Sequence, residues 1–172
     1  MVAIKNIILF ISAVSAAAIS QRTPATILSD ITTIDTDVKA LTTAVDNYNG
    51  GFLGLISVSS AESTLETSIE NAATDASNTS PLSSTDSESI LVGINNLKPD
   101  IDQALNALVG KKSTFASAGV DSTVASDLAN LKKETDALGK ALLAIFSSDV
   151  KPRLAADLNT IDTSFTNAQA QF

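Results

Sequence analysis

Five apolar seams, each repeating every three or four residues, restrict this chain more than any other feature. Ile27, Ile31, Ile34, Val38, Leu41, Val45 and Tyr48 follow one another at alternating steps of four and three. That spacing puts all seven on one side of a helix and leaves the rest of its surface polar. Pro24 stands near the start, where a missing N–H costs nothing, and Asn49-Gly50-Gly51 ends the segment. A weaker seam follows from about Phe52 or Leu55 to Ala76, carried by Val58, Ala61, Leu65, Ile69, Ala72 and Ala76. Ser77-Asn78-Thr79-Ser80-Pro81 reads as a loop.

The third seam is Ile90, Ile94, Leu97, Ile101, Leu105 and Leu108, opening at a capping-box pattern over Thr85-Asp86-Ser87-Glu88 and extending toward Phe115 before Gly119. Its register crosses Pro99 without a slip, which predicts one helix kinked there. Val124, Leu128, Leu131, Thr135, Leu138, Leu142 and Ile145 make the fourth seam. After a turn at Ser147 to Pro152, the fifth runs Leu154, Leu158, Ile161, Phe165 and Ala168 toward Phe172. No segment alternates with the period of a strand. The expected fold is all-α, an antiparallel bundle of about five helices in a single domain over residues 19–172.

Residues 1–18 read as something other than fold. Lys5 precedes the apolar run Ile7-Ile8-Leu9-Phe10-Ile11, which fades into Ser12-Ala13-Val14-Ser15-Ala16-Ala17-Ala18. This is the pattern of a cleaved signal peptide, with cleavage after Ala16 or Ala18. A membrane span needs about 20 apolar residues, and the run is too short. No later segment is apolar enough to span a bilayer, and the tail from Asp157 to Phe172 lacks the apolar stretch of a glycolipid-anchor signal. The expected product is exported: extracellular or at the cell wall.

The chain carries 11 Lys and Arg against 19 Asp and Glu. Loss of Lys5 with the signal leaves a net charge of about −9, which repels nucleic acid and anionic membranes. There is no cysteine and no histidine. Disulfide staples, the common zinc sites, Ser-His-Asp triads, cysteine nucleophiles and histidine-ligated haem are therefore excluded. No catalytic residue, cofactor or metal is expected. Glu62, Glu66 and Glu70 stand at helical spacing, but glycosidase chemistry needs two acids facing one cleft. They read as a solvated acidic face. Asp35-Thr36-Asp37 lacks the glycine and distal glutamate of a calcium loop. Lys111-Lys112 and Lys132-Lys133 read as surface patches able to contact a carboxylate head group. Asn78-Thr79-Ser80 is an N-glycosylation sequon in a surface loop.

The seams mix Leu and Ile with Ala, and few aromatic side chains are available to fill space between them. Two outcomes are open: helices that approach closely, or an apolar cavity of the kind that holds a lipid tail. For the second, the mid-seam residues Leu65, Ile69, Ile94, Leu97, Ile101, Leu128, Leu131 and Leu138 are the candidate lining. Thr135, a hydroxyl on an apolar seam, either bonds its own backbone or meets a ligand's polar end.

Ile27-Leu28-Ser29-Asp30-Ile31, Leu138-Gly139-Lys140-Ala141-Leu142 and Ile161-Asp162-Thr163-Ser164-Phe165 resemble stretches of the fungal cell wall mannoprotein family, also called hydrophobic surface binding protein A. The resemblance extends over the whole chain after the signal. It implies a secreted or wall-associated, often antigenic galactomannoprotein, with wall glycan among its partners. Some members of the family bind fatty acids inside a helical bundle; others adsorb to hydrophobic solids and recruit esterases. No ligand residue carries over by motif, because the family's lipid contacts are diffuse. The chain lacks a Ser/Thr-rich stalk, so covalent attachment to a wall is not implied. The expectation is a monomeric, non-enzymatic binder of a fatty acid, other lipid or hydrophobic surface; the rival is a purely structural wall component with a filled core.

Overall fold

A computed structural model describes residues 22–172. The expected signal peptide and cleavage site lie outside them. Helix α1 spans Pro24–Asp46, α2 Phe52–Ser77, α3 Ser84–Gly110, α4 Lys112–Ser117, α5 Asp121–Ile145 and α6 Lys151–Gln169. Thr23 caps α1 in a reciprocal box with Thr26, ahead of Pro24 in the first turn. Gly50 and Gly51 turn the chain from α1 into α2 at φ of 91° and 86°, values that side chains rarely adopt. All seven members of the first seam are buried, as are nearly all members of the others.

The helix neighbours form a closed ring. α1 packs on α2 and α3, α2 on α5, α5 on α6, and α6 on α3. Successive long helices reverse direction, so around the ring α1–α2 and α5–α6 are antiparallel while α1–α3 and α2–α5 run parallel. Parallel too are α3 and α6. Both begin at one end, where Arg153 pairs with Glu88 and the Ser84 hydroxyl donates to Asp149 at 2.5 Å. Lys98 reaches Asp157 at 2.5 Å further along. At the other end the Lys112 ammonium donates to the Gln171 carbonyl.

Helix α3 continues unbroken through Pro99. Pro99 and Asn95 both face solvent, so the carbonyl that the missing N–H leaves free at Asn95 can be hydrated. The cap of α3 lies two residues before the expected one: Ser83 accepts from the Asp86 N–H at 3.1 Å. The third seam does not reach Phe115 within one helix. The chain turns at Lys111, and the short α4 crosses the end of the ring against α3 and α5. The turn brings Phe115, fully buried, into a stack with Tyr48 at 4.9 Å between ring centroids. Such a stack adds about 0.5–1.5 kcal/mol to the area it buries. Lys111 secures it by donating to the Tyr48 carbonyl at 2.7 Å.

Candidate functional site

The middle of the ring is not filled. A cavity of about 70 Å3 lies on its axis, with a wall contributed by all five long helices. α1 supplies Ile31, Ile34, Val38 and Leu41, and α2 supplies Leu65 and Ile69. α3 contributes from Ile94 through Leu108, α5 from Leu131 through Leu142, and α6 adds Leu158, Ile161 and Phe165. The wall is almost wholly apolar, and Thr135 carries its one side-chain hydroxyl. An engineered cavity of about 150 Å3 with similar lining stays dry and admits benzene. The cavity here is smaller, so a long alkyl chain enters only as the helices separate.

Of the nine residues singled out from the sequence, eight meet on this wall: Leu65, Ile69, Ile94, Leu97, Ile101, Leu131, Thr135 and Leu138. Leu128 does not join them; it is buried on the same α5 seam but packs in the core away from the cavity. The shares of α1 and α6 were missed, since periodicity marks the buried face of a helix and not the neighbour across from it. Gly139 was missed as well. A Cβ at Gly139 would stand 3.0 Å from Leu158 Cδ2, so the glycine lets the Leu158 side chain press against the backbone of α5. A glycine inside a helix costs about 1 kcal/mol relative to alanine, and that cost was the available signal for close approach.

Outside the α5–α6 seam lies a second recess of about 180 Å3, bordered by Asp136, Lys140, Asn159 and Asp162. It shares Thr135, Gly139, Leu158, Ile161 and Phe165 with the cavity. These five side chains and backbones form a partition with the interior on one side and the surface on the other. Lys132 spans the seam between Asp136, at 2.9 Å, and Asp162. These hydrogen bonds, Asp162 foremost, hold its ammonium above the usual lysine range. The other three lysines of the expected patches are also engaged: Lys111 with Tyr48, Lys112 with Gln171, and Lys133 with Glu134 at 2.7 Å. Lys140, at the rim of the recess, is exposed and forms no ion pair among the described residues.

The acidic residues of α2 differ from expectation. Glu70 is exposed, but Glu62 and Glu66 are half-buried, because the ring lays α5 along that flank. Burial, then Asp127 of α5 and Glu66, push the Glu62 carboxyl up to about 7. Asp127 is raised by burial and by Glu66. Among the described residues, no three His, Cys, Asp or Glu side chains are grouped to hold a metal, and no helix is long and apolar enough to cross a membrane. Asn78 is exposed at the end of α2, its Nδ2 donating to the Thr74 carbonyl at 2.9 Å.

Residues 24–144 match the family described as hydrophobic surface binding protein A. The chain is 28% identical over 144 residues to cell wall mannoprotein 1 of Aspergillus fumigatus, a match covering 81% of this chain. It spans about half of that relative, 49% of its length. The fold is similar to that of Afmp4p in complex with palmitic acid, at a TM-score of 0.85 and 42% identity, covering 87% of this chain and 99% of that one. It is also similar to ligand binding domain 1 of the Penicillium marneffei MP1 protein, complexed with arachidonic acids. There the TM-score is 0.80 at 14% identity, with 87% of this chain and 98% of that one covered. At so low an identity, the second likeness speaks for the fold alone.

Proposed function

Because the chain belongs to the hydrophobic surface binding protein A family, we propose that it is a secreted or cell-wall-associated binding protein that takes a fatty acid into the axis of its helix ring. The observation that carries this reading is the apolar cavity to which every long helix contributes. Each methylene moved from water into such a site offers about 0.8 kcal/mol, so a long tail brings on the order of ten before the costs of binding and of parting the helices. Leu65, Ile69, Ile94, Leu97, Ile101, Leu131 and Leu138 contact the tail, and Thr135 supplies the hydroxyl on its path. The role is uptake and retention, with no bond made or broken. The palmitic acid held by Afmp4p, at 42% identity, supports the ligand class.

Adsorption to a hydrophobic surface is a second reading with an observation of its own. Phe52 and Leu53 in the first turn of α2 are 76% and 80% exposed, and Ile56 follows one turn later, half-exposed. An apolar group of that size at a helix start is suited to lie on a solid or to meet a partner. Lipid extraction of the protein secreted by its host, followed by mass spectrometry, decides between uptake and a filled structural core. A stoichiometric fatty acid is the expected result; lipid-free protein that also rejects added fatty acid would leave the structural reading. N-terminal sequencing of the same material should begin near Ile19. Treatment with an N-glycosidase should lower the mass through Asn78.

A further inference from the structure

A ligand for the interior needs a way in, and the ring's five seams differ in what closes them. The α3–α6 seam is clasped by Lys98–Asp157 and Arg153–Glu88. The α1–α3 seam carries Lys39–Asp100 at 3.4 Å, and the α1–α2 seam the Ser68–Asp37 hydrogen bond at 2.6 Å. The groove along the α2–α5 seam shares no residue with the cavity. At the α5–α6 seam, which Lys132 bridges to Asp162, a surface recess shares its wall with the interior. Leu158 stands in that wall, half-buried, with its methyl groups packed into the notch at Gly139. A leucine rotamer change takes far less free energy than separating two packed helices.

A carboxylate placed in the apolar interior would lose its hydration without a partner, a cost of several kcal/mol. It therefore stays at the mouth while the tail goes in. Lys140 is the cation at that mouth with no ion pair among the described residues, while Asp136 and Asp162, which also border the recess, are both paired with Lys132. The Thr135 hydroxyl lies on the path between. We propose that fatty acid enters between α5 and α6, that Leu158 is the gate, and that the carboxylate halts at the rim beside Lys140. This rests on the uptake reading above and adds to it the route and the orientation of the ligand.

Stopped-flow mixing of the delipidated full domain with the fluorescent polyene cis-parinaric acid tests it. A gate controls passage in both directions. Leu158→Ala should therefore raise the association and dissociation rates together by about tenfold, with a much smaller change in Kd, and Leu158→Trp should lower both. Should the alanine variant fail to fold, Leu158→Val reads in the same direction. Ser68→Ala, on the α1–α2 seam, should leave the rates unchanged. Lys140→Glu should weaken binding of the acid by about fivefold, the scale of an exposed ion pair, and leave binding of its methyl ester unchanged. Parent-like rates in every Leu158 variant would overturn the gate while uptake stands. Equal losses for acid and ester in Lys140→Glu would overturn the anchor. A parent protein that binds neither probe removes the uptake reading and the route with it.

Discussion

Ser87 carries a hydroxyl into the core with no exposed surface and accepts a hydrogen bond there from the Ser147 N–H at 3.0 Å. The bond ties α3 to the turn between α5 and α6. Ser87→Ala strips the acceptor and leaves a part-buried N–H without a partner, so stability should fall by about 1–3 kcal/mol in urea denaturation. Leu97 presents a different test, because it borders empty space. Leu97→Phe should fill the cavity and cut fatty-acid affinity at least tenfold while thermal stability stays near that of the parent. In a filled core the same change overpacks and costs about 1–3 kcal/mol. A melting curve and a titration on one preparation separate the two. At this scale the sequence was informative where a side chain's type sets its fate. Leu65, Ile94 and Leu131 are apolar at mid-seam and line the cavity; Leu128 has the same credentials and does not. Depth along the axis and angle around the ring decide that, and neither is encoded in a repeat of three and four.

Among the elements, the five long helices were legible because each has a recurring apolar seam ended by Gly, Pro or a polar cluster. Helix α4 was not. Six residues are too few for a period, and Phe115 looked like the next member of the third seam until the turn at Lys111 redirected it to Tyr48. The α2–α5 contact was equally hidden, since a helix does not announce which partner will cover its flank. That contact makes stability depend on pH. In the folded protein Glu62 faces Asp127 and Glu66, and its pKa rises from the ordinary 4.5 to about 7. The folded state thus keeps a proton that the unfolded chain releases, and raising the pH through that window favours unfolding. Burial raises Asp127 in the same sense. The melting temperature should fall as pH rises from about 4.5 to 7, and Glu62→Gln should flatten most of that slope. A melting temperature that climbs over this range would contradict the burial of Glu62 against α5.

For the whole molecule, the odd number of helices in the ring has two consequences. It rules out strict alternation of direction, and α1–α3, α2–α5 and α3–α6 run parallel; it also encloses an axis wider than apolar side chains of this size can close. Large aromatic residues could have filled it, but the axis is lined mainly by Ile and Leu. With no cysteine to lock the seams, the helices are held by packing, hydrogen bonds and a few ion pairs. The central claim is that the axis is a binding site and not a packing defect. Native mass spectrometry of the delipidated domain with palmitic acid, paired with a thermal melt, tests it most directly. The account predicts a saturable complex of defined stoichiometry and a melting temperature that rises with ligand concentration, by about 2.7 kcal/mol of added stability at a hundred times Kd. An unchanged melting temperature, with only nonspecific adducts that never saturate, would contradict it.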